Sequence, residues 1–314
     1  MTPGSFFKLV ELQTKVASVI PFTLGTVYAL YRFNNFDLRN FIFMFISLIA
    51  FDMATTAVNN YMDYKKAYKT EGYNYNTHNA IVRDELKERT VLITIFILIA
   101  VASIFGFILF LNTDFVVLLL GAVSFLIGIC YSYGPVPISR TPLGEIFSGL
   151  FMGFVIVFIS AYIHIYDQNI ITIAFQNGIL ALNFNIIELL YIFLISMPAV
   201  IGIANIMLAN NICDIEDDIE NKRYTLPIYL GKKRALSLFR YLYYLAYLDI
   251  LALLLLQIVP LSYILTLATI IIVNKNINIF DRKQTKKDTF VLAVKNFVVI
   301  NVVQILIIGI TTIT

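Results

Sequence analysis

Residues 38–63 read LRNFIFMFISLIAFDMATTAVNNYMD, an apolar run that ends in Asn59-Asn60-Tyr61-Met62-Asp63. About 20 predominantly apolar residues cross a hydrocarbon core as a helix, and 38–62 meets that length. Runs of the same kind fill the rest of the chain. The predicted spans are 14–32, 38–62, 90–111, 114–133, 143–166, 187–212, 235–257, 258–274 and 289–312. Backbone polar groups in lipid must be satisfied within the segment, and these lengths suit helices rather than barrel strands. Over the 314 residues, 59% are hydrophobic and 14% charged, with a mean hydropathy of +0.82. That leaves too little polar material to surface a soluble domain of this size.

The expected fold is therefore an all-α membrane protein, one polytopic domain over 1–314 with nine transmembrane helices. Pro21 and Pro198 lie inside spans and should kink them. Asn112-Thr113-Asp114 and the turn around Pro260 read as tight connections. All but four of the 23 Lys and Arg lie in the N-terminal tail or in the loops after even-numbered spans. The positive-inside rule then places the N-terminus and those loops in the cytoplasm of a cell-membrane protein, and the C-terminus outside. A net charge of +3 without a long basic stretch gives no sign of nucleic acid. No obligate protein partner is implied. Cys130 and Cys213 have no metal-ligand spacing and imply no disulfide framework.

The ending of the second span recurs 151 positions later as Asn210-Asn211-Ile212-Cys213-Asp214, at the end of the sixth. Copies four spans apart share an orientation. They imply two related four-helix units, about 14–133 and 143–274, around a central cavity, with 289–312 as a final helix. Asp52, Thr56, Asn59 and Asp63 are spaced four, three and four apart, one helical face running toward the cytoplasmic mouth. Asn210, Asp214 and Asp218 follow at intervals of four in the second copy. Carboxylates one turn apart with carboxamide oxygens are hard ligands suited to Mg²⁺, which commonly bridges to substrate phosphates. Lys65, Lys66, Arg83, Lys222 and Arg223 flank the acids, as a diphosphate requires for binding and departure. A long apolar tail on that diphosphate would lie in the bilayer, so a polyprenyl diphosphate fits. Tyr61, Tyr131 and Tyr133 sit near the mouth, where ring faces could stabilise an allylic cation.

These residues resemble the UbiA superfamily of intramembrane aromatic prenyltransferases over nearly the whole chain. Within it the sequence is similar to the branch that prenylates 1,4-dihydroxy-2-naphthoate in menaquinone biosynthesis. The likeness rests on Asn59 through Arg83, on Tyr133-Gly134-Pro135 through Thr141-Pro142-Leu143-Gly144-Glu145, and on Asn210-Asn211 through Asp218, Thr225-Leu226-Pro227 and Gly231. The resemblance implies nine helices, with Mg²⁺ and diphosphate on Asn59, Asp63, Asn210, Asp214 and Asp218, Asn211 being part of the second motif. It implies phosphate contacts from Lys66, Arg83 and Arg223, and a small aromatic acceptor that loses CO₂ to give demethylmenaquinol. The family pattern has acidic residues where Asn60 and Lys69 stand, an Arg at Cys213 and a Gly at Lys222. Lys69 would replace a second metal ligand by a direct phosphate contact. A prenyltransferase acting on another acceptor, such as 4-hydroxybenzoate or haem, remains an alternative. So does a secondary transporter with parallel repeats, for which Asp52 is the one suggestive residue. His164, near the outer end of span five, is rejected as a base on topology.

Overall fold

A computed structural model describes residues 1–67, 79–176 and 178–313. Among the described residues, nine helices are long and apolar enough to cross a membrane. Spans one to five are Leu12–Phe33, Leu38–Lys65, Glu88–Asn112, Phe115–Ser132 and Gly144–Ile165. Spans six to nine are Ile186–Cys213, Lys232–Leu255, Leu261–Arg282 and Val291–Ile313. Short polar side chains set several starts. Asp37 accepts from the Asn40 amide and opens span two; Asp114 accepts from the amides of Val116 and Val117 and opens span four. Spans one and six continue as helices through Pro21 and Pro198.

Two elements depart from expectation. Span eight begins as a 3₁₀ helix, Leu261–Thr269, and continues as an α-helix to Arg282, beyond the predicted end at 274. Asn274, Lys275 and Asn276 end the hydropathic run, but Val273, Ile277 and Phe280 are buried at spacings of four and three. The connection to span nine is correspondingly short. Between spans five and six an antiparallel hairpin forms, β1 (Ile171–Gln176) and β2 (Ile179–Phe184). Alternating residues around Asn177-Gly178 carried that signal in the sequence.

Close packing holds spans one, five and six together. A Cβ on Gly25 would fall 2.3 Å from the Val157 carbonyl oxygen, and one on Gly153 would fall 2.4 Å from Val200 Cα. Small residues let helix backbones approach where lipid supplies no hydrophobic drive between helices. Within span five, Gly149–Val155 forms a π-helix. Gly149 and Gly153 abut Val200 of span six, while Phe147, Phe151 and Val155 line a central cavity.

That cavity has a volume of about 570 Å³ and is walled by spans one to six. It extends along span two from Met44 to Asn59, a depth of about 22 Å at 1.5 Å per residue. Its walls are mostly apolar, with Phe51, Phe107, Phe125, Phe147 and Phe151 among them.

Candidate active site

Span two delivers the first motif. Asp52, Thr56 and Asn59 line the cavity, as their shared helical face requires, and Asp63 stands one turn beyond Asn59 at its mouth. Asp52 is fully engaged inside the membrane. Its Oδ1 accepts from Lys15 Nζ at 2.7 Å and its other oxygen from the Ser18 hydroxyl. Lys15 also donates to the Asp52 carbonyl at 3.1 Å and to Thr56 Oγ1 at 2.8 Å, which uses all three of its protons. The Asn59 carboxamide oxygen accepts from the Ser132 hydroxyl at 3.0 Å, tying the motif to span four.

Neighbouring residues turn elsewhere on the helix. Asn60 is buried and donates to the Leu9 carbonyl at 2.9 Å and to Glu11 Oε1 at 3.1 Å. Its own carbonyl accepts from the Asn79 side chain. Tyr61 and Lys65 both reach Glu88 at the start of span three, at 2.7 and 2.8 Å. Two residues along an α-helix rotate about 200°, so Lys65 points away from Asp63 and its expected role on phosphate is not supported by placement. Lys66 faces the other way and donates to the Gly134 carbonyl at 3.2 Å, bringing the start of loop four–five to the first motif.

The second motif ends span six. Asn210 is half-buried, and Asn211 is buried with its amide group on Glu145 Oε1 at 2.9 Å. Asn211, expected among the substrate-binding groups, has one amide proton on the scaffold through this bond. The two copies thus match in a detail that spacing alone did not contain. The second Asn of each motif bonds a glutamate at the head of the preceding odd-numbered span, Asn60 to Glu11 and Asn211 to Glu145. Glu145 keeps a second oxygen buried and without a partner.

Asp214 caps span six, and Asp218 sits in the short helix Ile215–Glu220, its amide on the Asp214 carbonyl at 2.7 Å. Asp218 is buried and accepts from the Thr225 hydroxyl at 3.0 Å. Arg223 joins the two motifs. Its Nε lies 3.3 Å from Asp218 and its Nη1 3.5 Å from Asp63. Its Nη2 donates to the Ser139 carbonyl at 3.5 Å, so loop four–five also closes on the site. Burial pushes the Asp218 carboxyl up to about 6, against the pull of Arg223, with Asp214 adding to the rise. Arg223 itself is held above its ordinary value: burial opposes its charge, but Asp63, Asp218 and Asp214 outweigh it. Lys286, from the turn between spans eight and nine, forms an ion pair with Asp214.

The remaining expected residues divide. Tyr131 lines the cavity with its hydroxyl on Ser148 at 2.9 Å, whereas Tyr133 is 58% exposed. Lys222 is exposed in the turn after the short helix, and Arg83 donates to its neighbour Asp84 at 2.9 Å. Lys69 lies outside the described residues. Reading by sequence missed Glu145 and Lys286. A carboxylate at the head of an apolar run is costly and so was a usable signal for the first. Lys286 is one of several bases in its loop, and nothing in the pattern distinguishes it.

The donor set suits Mg²⁺. Asp63, Asp214 and Asp218 supply hard oxygens, and cationic side chains now neutralise those carboxylates. Among the described residues no three such side chains converge closely enough to hold an ion unaided.

Known proteins establish the family and the fold. The UbiA prenyltransferase family matches residues 18–299. A Bacillus subtilis (strain 168) protein named 1,4-dihydroxy-2-naphthoate octaprenyltransferase is 34% identical over 232 residues, 74% of this chain and 68% of that protein. The fold is similar to that of a UbiA homologue from Aeropyrum pernix K1 in its apo form, with a TM-score of 0.67 and 20% identity over 92% of this chain and 97% of that one. It is also similar to a UbiA homologue from Archaeoglobus fulgidus bound to GPP and Mg²⁺, with a TM-score of 0.65 and 14% identity over 98% and 99% of the two chains. With a paired acidic mouth above an apolar cavity and a family match over most of its length, this chain belongs to the UbiA prenyltransferase family.

Proposed function

We propose that this protein transfers a polyprenyl group from its diphosphate to 1,4-dihydroxy-2-naphthoate, releasing diphosphate and CO₂ and giving demethylmenaquinol, a step of menaquinone biosynthesis. One observation carries the reading. Arg223 brings Asp63 of the first motif and Asp218 of the second to one point at the mouth of an apolar cavity of about 570 Å³. The acceptor is inferred from the relative's name and from the Pro-Leu-Gly-Glu stretch at 142–145.

Asp63, Asp214 and Asp218, with Asn59 and Asn210, would hold Mg²⁺. When bound, the metal would neutralise charge on the departing diphosphate. The chain's own groups do the rest. Arg223 and Lys66 stand at the mouth to meet phosphate oxygens, and the cavity below takes the tail. Aromatic and other apolar walls, which disfavour water, would protect an allylic cation until a ring carbon of the acceptor attacks it. Tyr131 is the aromatic best placed for this, on the cavity wall one residue from Ser132, the partner of Asn59. The internal repeat, 14–133 and 143–274, is supported by the matched Asn–Glu bonds. Excess Lys and Arg on the motif face support a cytoplasmic site in the cell membrane. Asp52 gives no support to a transporter, since Lys15 and Ser18 occupy both its oxygens.

The test is purified protein with a polyprenyl diphosphate, Mg²⁺ and a panel of aromatic acceptors, following diphosphate and CO₂. Release of both is expected with the naphthoate, and neither Asp63→Ala nor Asp214→Ala should support it. Absence of diphosphate release with every acceptor, or full activity in both variants, would overturn the proposal. Turnover of another acceptor alone would reassign the substrate.

A further inference from the structure

Among the described residues, the cations expected around the diphosphate divide. Lys65 is turned to Glu88, and Lys222 is exposed. A different cation has taken a place at the acidic centre: Lys286, from the segment between spans eight and nine, pairs with Asp214. Only 22% of its side-chain surface is exposed, against 62% for Lys283 in the same segment.

The segment is built to present it. Thr285 and Thr289 close the turn, with the Thr289 amide on the Thr285 carbonyl at 3.0 Å and the Thr285 amide on Thr289 Oγ1 at 2.9 Å. Lys283 and Thr285 both hold Asp288, at 2.8 and 3.3 Å, and Gln284 fastens to the carbonyls ending span eight. Thr289 is buried beneath. None of these bonds uses the Lys286 side chain, so its ammonium can move while the turn stays fixed.

Charge counting says where it would move. Among the described residues, Asp63, Asp214 and Asp218 face Arg223 and Lys286, and these five groups together leave one negative charge. A divalent metal on these carboxylates reverses that sign and competes directly with Lys286 for Asp214. A diphosphate arriving with the metal makes the centre negative again, and its oxygens are the strongest acceptors within reach of a displaced ammonium. We propose that Lys286 is a diphosphate-binding residue, parked on Asp214 in the free protein and transferred to a phosphate oxygen when metal and substrate load. This rests on the diphosphate site proposed above. It adds the last inter-span segment to a site that the motifs place on spans two and six.

The test uses the full-length protein in detergent, with Mg²⁺ and inorganic diphosphate as probes and calorimetry as the readout. Lys286→Met should bind Mg²⁺ alone several-fold more tightly and bind diphosphate, at saturating Mg²⁺, about tenfold or more weakly, as expected for losing a charge-assisted bond. Lys286→Arg should restore most of the diphosphate affinity, and Lys287→Met, in an exposed neighbour, should change neither. A second measurement needs no variant. Amine-reactive labelling of Lys286, read by mass spectrometry, should rise on adding Mg²⁺ and fall again on adding diphosphate. Unchanged diphosphate affinity in Lys286→Met, or labelling that stays high with diphosphate, would overturn the inference alone. No binding of Mg²⁺-diphosphate by the unaltered protein would overturn the site reading and this inference with it.

Discussion

Asp218 gives the sharpest energetic test of the site, because burying an ionised carboxylate costs stability. Its carboxyl rises from 3.8 to about 6 through burial, with Arg223 limiting the rise. At about 1.4 kcal/mol per unit, that shift is worth about 3 kcal/mol. The sign follows from linkage. A folded value above the unfolded one means the folded protein binds the proton more tightly. The stability this gives is present below the unfolded value and lost as pH rises through the folded one. Asp218→Asn stays neutral and keeps an oxygen for the Thr225 hydroxyl, so it avoids that loss. Arg223 retains Asp63. In the absence of Mg²⁺ at about pH 7.5, Asp218→Asn should therefore be more stable by up to about 3 kcal/mol, a few degrees in unfolding temperature. The gap should close toward about pH 4. Thermal unfolding in detergent with chelator, at both pH values, measures it. Adding Mg²⁺ and diphosphate should then stabilise the unaltered protein and leave the variant nearly unchanged. A variant less stable at neutral pH, or an offset equal at both pH values, would refute the account.

Other perturbations separate scaffold from chemistry. Glu145→Gln keeps an acceptor for Asn211 and should fold normally, whereas Glu145→Ala leaves a buried amide unpaired and should cost about 1–3 kcal/mol in denaturant unfolding. Lys66→Ala should weaken Mg²⁺-diphosphate binding in calorimetry while Lys65→Ala does not; an equal loss from both would contradict the orientation of span two. Gly153→Ala forces spans five and six apart at Val200 and should cost about 1–3 kcal/mol. Gly121→Ala, whose Cβ meets nothing within 4 Å, should leave thermal stability intact and narrow only the cavity.

The spans were legible because lipid imposes one length and one polarity on every crossing segment, and Asp37 and Asp114 marked their starts. The paired motifs were legible because Asn and Asp inside such runs are costly enough to stand out. What the pattern left open was direction. Spacing placed Asn59 and Asp63 on one face, but only the folded helix shows that Asn60 and Lys65 are held by Glu11 and Glu88. Proximity in sequence to an acid made Lys65 attractive, whereas Asp214 pairs with Lys286, 72 residues away. A hydropathy reading ends span eight at its first polar cluster and so gives no reason to bring that loop to the site. The hairpin was legible in Asn177-Gly178 and its alternating flanks, but a reading that looked only for runs of membrane-spanning length passed over it.

The π-helix in span five sets a phase as well as a shape. Residues four apart stay on one face through it: Phe147, Phe151 and Val155 share the cavity wall while Gly149 and Gly153 share the contact with Val200. Removing one residue from Gly149–Val155 would shorten a 22-residue crossing by a length the bilayer scarcely registers. It would also rotate everything on the motif side of the segment by about 100° relative to the far half. Glu145 would leave Asn211 and Ser148 would leave Tyr131, though no residue of either pair had changed. The site is thus keyed to the residue count of this segment, a frame that hydropathy does not register.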